Sequence, residues 1–266
     1  MPVSEIDAAF RRLRSAGEKG LVVYLTAGDP SPAASLAYLR AAADAGADIL
    51  EVGIPFSDPT ADGPTIEAAS GRALAGGMNV AGALDLVSAF RRTHATPVVL
   101  FGYYNPFLRY GVPRLCRHAR AAGADGFLIV DLPYEETREA VPAMREAGLD
   151  WIPLAAPTSG MERIREFDRA GSGFLYLISL TGVTGVRNSL PPGIAAWTRE
   201  VSRAVRLPLA VGFGISSPRM AREATRHADA AVVGSACVKI VEVHGRGRRG
   251  PAELQRFVRS LKSALR

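Results

Sequence analysis

The stretch DILEVGIPFSDPTADGP, residues 48–64, begins as a strand and breaks into a proline-rich loop, and that change sets how the rest of the chain is read. Period-two alternation puts Leu50, Val52 and Ile54 on one face and Ile49, Glu51 and Gly53 on the other. Apolar residues on both faces are the mark of a strand covered on both sides, as in a parallel sheet. Glu51 breaks the pattern. A carboxylate among buried aliphatics is costly unless it is hydrogen-bonded or functional, and Gly53 beside it leaves room for a ligand.

Seven more runs of this kind follow the same rule: LVVYLTAG (21–28), PVVLFGY (97–103), DGFLIVD (125–131), DWIPLAA (150–156), GFLYLIS (173–179), PLAVGFG (208–214) and AAVVGSA (230–236). Between them lie alanine- and arginine-rich helical patterns, such as SLAYLRAAADAGA and VPRLCRHARAAGA, several ending in glycine just before the next strand. Eight β–α units in a chain of 266 residues predict an α/β fold, a (β/α)8 TIM barrel forming one domain over residues 1–266 with no linker. An extra N-terminal helix over 4–16 is expected to cap the bottom of the barrel, and the segment from Pro251 supplies the last helix.

Composition narrows the classes of function. No apolar run approaches the roughly 20 residues needed to span a bilayer, and the first twenty residues read as an amphipathic helix without a signal-peptide core. A cytoplasmic location and no membrane partner are expected. The net charge of +6 is concentrated only at HGRGRRG (244–250) and, less densely, at Arg11, Arg12 and Arg14. Neither cluster is interleaved with aromatics for base stacking, so nucleic acid is not the expected partner. Cys116 and Cys237 lie far apart in apolar contexts and read as buried thiols, and the four histidines show no ligand spacing, so no metal is expected.

In a barrel of this type the active site is built at the C-terminal ends of the strands. Two connections there are long, the acidic one after the second run and SLTGVTGVRNSLPPG after the sixth, and loops of that length are often lids. The seventh run ends GFGISS and the eighth GSA, each followed by a helix. Glycines at adjacent strand ends let backbone N–H groups approach an anion, which points to a phosphorylated substrate. GFGISS lacks the third glycine and the following acid of a dinucleotide fingerprint. Tyr24, Thr26, Phe101, Tyr103, Tyr176 and Phe213 at strand tops suggest the wall of a pocket for a planar apolar group. Among the acids, Asp58 fits a turn, Asp62 competes with a helix-capping role before Gly63-Pro64, and Asp131 caps the next helix or lines the site.

The ordered motifs YLTAGDP (24–30), LEVGIPFSDPTADGPTI (50–66), GYYNP (102–106), DLP (131–133), APTS (156–159), TGVTG (181–185), GFGIS (212–216) and GSA (234–236) resemble the tryptophan synthase α subunit family over essentially the whole chain. The resemblance implies a (β/α)8 barrel that cleaves indole-3-glycerol phosphate to indole and glyceraldehyde 3-phosphate. It implies no cofactor in this chain, with pyridoxal phosphate in a β-subunit partner and an α2β2 assembly. It makes Glu51 and Asp62 the catalytic pair. It places phosphate at Gly185, Gly214, Gly234 and Ser235, and substrate at Tyr24, Thr26, Phe101, Tyr103, Tyr176 and Phe213, with Thr184 helping to close the site over Asp62. Pro55, Asp58 and Pro59 would face the β subunit. Thr60, Glu67 and Tyr134 depart from the family pattern, which touches the partner surface more than the reaction.

Three other readings compete. One is another phosphate-binding barrel enzyme, such as a ring-closing synthase or a sugar isomerase; an indole-glycerol-phosphate-forming synthase would need a lysine as well as a glutamate in the barrel, and the first seven runs have none, with Lys239 beyond the eighth. A standalone indole-3-glycerol-phosphate lyase would work without a β subunit. A regulatory barrel would bind a phosphate ligand without catalysis, against which stands the presence of both Glu51 and Asp62 in their motifs.

Overall fold

All eight apolar runs become parallel strand in the computed structural model, which describes residues 4–178, 190, 192–212, 214–247 and 249–266. The strands are β1 (Gly20–Thr26), β2 (Ile49–Gly53), β3 (Val98–Gly102), β4 (Gly126–Ile129), β5 (Asp150–Trp151), β6 (Leu154–Ala155), β7 (Leu175–Ile178), β8 (Leu209–Gly212) and β9 (Ala230–Val233). Nine segments arise from eight runs because Pro153 interrupts DWIPLAA, and proline has no N–H to give to a ladder. The sheet order is β5-β4-β3-β2-β1-β9-β8-β7-β6. Its two ends meet in that one interrupted run: Ile152 N–H donates to Phe127 O at 2.8 Å on one side, and Pro153 O accepts from Tyr176 N–H at 2.9 Å on the other. The barrel is closed.

The helices are α1 (Glu5–Ala16), α2 (Pro32–Asp44), α3 (Pro64–Ala75), α4 (Val80–Arg91), α5 (Tyr104–Tyr110), α6 (Val112–Ala122), α7 (Thr137–Glu146), α8 (Gly160–Ala170), α9 (Ile194–Ala204), α10 (Pro218–Ala224), α11 (Ser235–His244) and α12 (Arg249–Ser263). Three connections, after β2, β3 and β9, hold two helices where the eightfold pattern predicts one. Among the described residues no single helix is long and apolar enough to cross a membrane. Cys116 and Cys237 are free and buried.

The alternation read in the second run sorts the core into two shells. Leu50, Val52 and Ile54 face outward into the large cluster shared with the helices, while Ile49 faces inward. The inner cluster is closed from below by α1, whose Ile6, Phe10 and Leu13 pack on Val22, Ile49, Val99, Leu128, Ile152 and Phe174. Phe10 and Phe174 stand with ring centroids 5.8 Å apart. Burial of such side chains contributes roughly 1.5–3 kcal/mol each, so packing is the main hold on the plug. Ser4 starts the helix, accepting the Asp7 N–H at 3.1 Å.

A ring of aspartates ties the strand starts together at this lower end. Asp48, Asp125 and Asp229, each just ahead of a strand, accept N–H bonds from Leu21 (2.8 Å), Val98 (2.7 Å) and Leu209 (2.9 Å) on the neighbouring strand. Charge compensation comes from the helices. Lys262 of α12, itself buried, reaches Asp48 at 3.0 Å and Glu18 at 3.2 Å, and Arg91 of α4 pairs with Asp125. Asp48 and Asp125 are thus both paired and hydrogen-bonded, and Asp229 is hydrogen-bonded.

Candidate active site

Glu51 sits inward on β2, 1% exposed, and neither carboxylate oxygen has a hydrogen-bond partner among the described residues. Burial alone pushes its pKa up to about 8, so near neutral pH it holds its proton. Asp62 lies in the loop that follows. The helix after it begins with Gly63 as N-cap and Pro64 at its first position, without a side-chain cap, so Asp62 is not spent on capping. Its pKa is pushed up to about 7, raised first by burial, opposed by the Tyr103 hydroxyl and raised further by Glu67. The backbone around it is held by Tyr103, whose hydroxyl accepts the Ala61 N–H at 3.0 Å.

One cavity of about 460 Å³ contains both acids. Its wall includes Tyr24, Ile66, Phe101, Val130, Leu154 and Tyr176, and its far edge Gly212, Gly214, Gly234 and Ser235. Tyr24 and Phe101 meet edge-on with centroids 5.1 Å apart. Thr26 is buried behind this wall with its hydroxyl 3.4 Å from that of Tyr24, and Tyr103 acts from beneath the acid loop. Thr184, Gly185 and Phe213 lie outside the described residues.

The room expected beside Gly53 is taken by protein. A Cβ there would stand 2.1 Å from the Tyr24 hydroxyl, so the glycine admits a tyrosine and not a ligand. Gly212 repeats the device on the other side of the barrel, where a Cβ would stand 2.2 Å from the Tyr176 hydroxyl. Burial holds both phenols well above their ordinary pKa, reinforced chiefly by Asp62 at Tyr24 and by Glu51 at Tyr176. Both stay protonated throughout the working range of pH.

At the glycine edge, Gly214 has φ +70°, a conformation L side chains rarely adopt. Gly234 is the N-cap of α11, and the first turn of a helix leaves N–H groups without intrahelical acceptors. Asp131, by contrast, is used structurally: its Oδ1 accepts the Tyr104 N–H at 2.7 Å at the start of α5. Asp58 is exposed at the rim and accepts from Ser57 Oγ at 2.5 Å, with Pro55 buried beneath it and Pro59 half-buried. Among the described residues no group of three or more His, Cys, Asp or Glu side chains is placed to hold a metal.

Sequence reasoning passed over Val130, Leu154, Ile178 and Val232, which also line the cavity. The signal was present. Val130, Leu154 and Ile178 each lie two residues beyond an inward-facing position, Leu128, Ile152 or Tyr176, so strand alternation carried to the strand tops names them.

A cavity at the C-terminal strand ends that holds two carboxylates and glycine-lined backbone is the active-site arrangement of a (β/α)8-barrel enzyme. The comparisons narrow this. The tryptophan synthase alpha chain family matches residues 10–266. A tryptophan synthase alpha chain from Citrifermentans bemidjiense is 47% identical over 99% of this chain and 98% of its own. Tryptophan synthase subunit alpha from Legionella pneumophila superposes with a TM-score of 0.90 at 36% identity, covering 98% of both chains. A tryptophan synthase complex from Pyrococcus furiosus contains a chain that aligns at 39% identity and TM-score 0.86, over 92% of this chain and 99% of that one. The chain belongs to the tryptophan synthase alpha chain family.

Proposed function

We propose that Glu51 and Asp62 are the catalytic pair of this lyase, acting on indole-3-glycerol phosphate in a single barrel domain. The reaction is retro-aldol cleavage to indole and glyceraldehyde 3-phosphate in tryptophan biosynthesis. The observation that supports the residue assignment is the Glu51 carboxyl, without a hydrogen-bond partner among the described residues and buried in the same cavity as Asp62.

Cleavage requires a proton on indole C3, so that the ring becomes an electron sink, and removal of the proton from the adjacent carbinol hydroxyl. Glu51, protonated at neutral pH, gives its proton to C3 and becomes a carboxylate. It then takes the hydroxyl proton as the C3–carbon bond breaks, its electron pair returns to the indole and the carbinol becomes the aldehyde. One proton has moved from oxygen to carbon, and Glu51 is restored. Asp62, the more acidic of the two, stands ionised against the positive charge that develops at the indole nitrogen. The aromatic and aliphatic wall takes the indole, while Gly214, just beyond β8, and Gly234 and Ser235, at the head of α11, take the phosphate.

The partner is a β subunit in an α2β2 assembly. Pyridoxal phosphate belongs to that subunit, and the reaction assigned to this chain needs no cofactor. The exposed bend at Ser57-Asp58 and the adjoining groove lined by Pro55, Phe56, Leu74 and Tyr110 support docking beside the cavity rim. A cytoplasmic location fits an enzyme of this pathway.

The test is to mix the purified chain with indole-3-glycerol phosphate and follow indole, with and without a β subunit. Slow release that the β subunit accelerates is expected. No indole with both subunits present would remove the assignment, and an equal rate without the partner would favour a standalone lyase.

A further inference from the structure

Tyr24 carries an oxygen that its packing does not need. The edge-on contact with Phe101 at 5.1 Å and the burial of the ring would be made equally by phenylalanine. Yet β2 gives up a side chain at Gly53 to admit this hydroxyl, which stands 2.1 Å from where a Cβ would be. Among the described residues its hydrogen-bond partner is Thr26 Oγ1 at 3.4 Å, well beyond the roughly 2.7–2.8 Å of a good O–H···O bond. A buried hydroxyl held by so long a bond is under-satisfied, and a ligand that supplies a better partner recovers the difference.

The position of the side chain says which part of a ligand that is. Tyr24 pairs in register with Glu51 across β1 and β2. Its Cβ lies 3.5 Å from where a Cβ on Gly234 would be. The side chain thus spans from the glycine edge of the cavity to the neighbourhood of Glu51. With phosphate at the first and the reacting carbinol at the second, the three-carbon chain between them passes over Tyr24. The carbinol proton is taken by Glu51, which leaves the hydroxyl on the middle carbon without an assigned partner.

We propose that the Tyr24 hydroxyl, backed by Thr26, hydrogen-bonds that middle-carbon hydroxyl and makes Tyr24 a specificity-determining residue, selecting a hydroxylated three-carbon phosphate over a plain alkyl phosphate. The inference rests on the indole-3-glycerol phosphate reading above. Thr26 donates to the phenol oxygen, and the phenol proton turns to the substrate, so no bond of the reaction itself involves Tyr24.

The test compares two ligands on Tyr24→Phe in the complex with a β subunit. One is indole-3-glycerol phosphate, read as kcat/KM for indole release. The other is indole-3-propyl phosphate, which has no chain hydroxyl, read as Kd by calorimetry. The expected result is a fall of about three- to tenfold in kcat/KM, the size of one neutral hydrogen bond, with Kd for the propyl analogue changed less than about twofold. Thr26→Val, similar in shape without the hydroxyl, should give the same selectivity with a smaller loss. Equal losses on both ligands would reduce Tyr24 to ring packing and overturn the proposal, as would no loss on either. Absence of indole from the unsubstituted complex is a separate outcome, and it would remove the assigned reaction together with this inference.

Discussion

The hydroxyl of Tyr103 accepts the Ala61 N–H at 3.0 Å, fixing the backbone one residue ahead of Asp62, and it also opposes the rise in the Asp62 pKa. Tyr103→Phe removes both effects without changing the ring. Asp62 should then titrate above its present value of about 7. The acid limb of the pH–rate profile should move up by about 0.5–1 unit, the size of one lost hydrogen bond. A limb that stays in place would mean that Tyr103 only packs against the loop.

If Glu51 and Asp62 act as proposed, the two acids set opposite limits on activity. Asp62 must be ionised, which fails as pH falls through about 7, and Glu51 must be protonated, which fails as pH rises through about 8. A bell-shaped kcat/KM profile is expected between those limbs, which report the pair because the two groups share one cavity. In Glu51→Gln the alkaline limb should vanish along with about 10² to 10⁴ of the rate.

Glu51 should also weaken the fold in a pH-dependent way. Its folded pKa of about 8 lies above the ordinary 4.5 of an unfolded chain. The unfolded state therefore loses its proton first, so stability is full below about 4.5, falls as pH rises and levels off above about 8. Glu51→Gln is free of this effect. Its stability relative to the parent, measured by urea unfolding, should grow by on the order of 2–4 kcal/mol between pH 4.5 and 8. A constant gap would mean that the carboxyl is compensated when buried.

The floor responds differently to substitution. Lys262→Met leaves Asp48, its side chain only 11% exposed, without its ammonium and should cost about 3 kcal/mol in urea unfolding, with the catalytic pH profile unmoved. Adding Asp48→Asn keeps an acceptor for the Leu21 N–H while removing the orphaned charge, and should restore much of the loss. Additive losses in the double variant would show that the pair matters only as packing.

Legibility in the sequence followed the range of the interaction. Alternation is local, so 48–54 told which face Glu51 takes, and eight repeats of the same signal gave the barrel. Pro153 also stood in plain view, but its effect on the fifth run depends on neighbours at Phe127 and Tyr176, distant in sequence. The role of Gly53 was misread for the same reason, since the oxygen that fills its notch comes from the next strand. Asp131 and the helix over 104–110 were equally a matter of contact across loops, because the cap at Tyr104 is supplied from another strand end. The floor aspartates left only a faint trace, an acid ahead of several strands, whose meaning required the neighbouring N–H groups.

With Ile6, Phe10 and Leu13 driven into the lower end, the barrel is stoppered from below, and among the described residues the cavity that holds both acids lies at the opposite end. The 55–60 rim adjoins that end of the barrel through Thr60, which lines the cavity itself. A body seated on that rim would touch the loop that carries Asp62 and leave Glu51 untouched, so the two acids can answer to different influences.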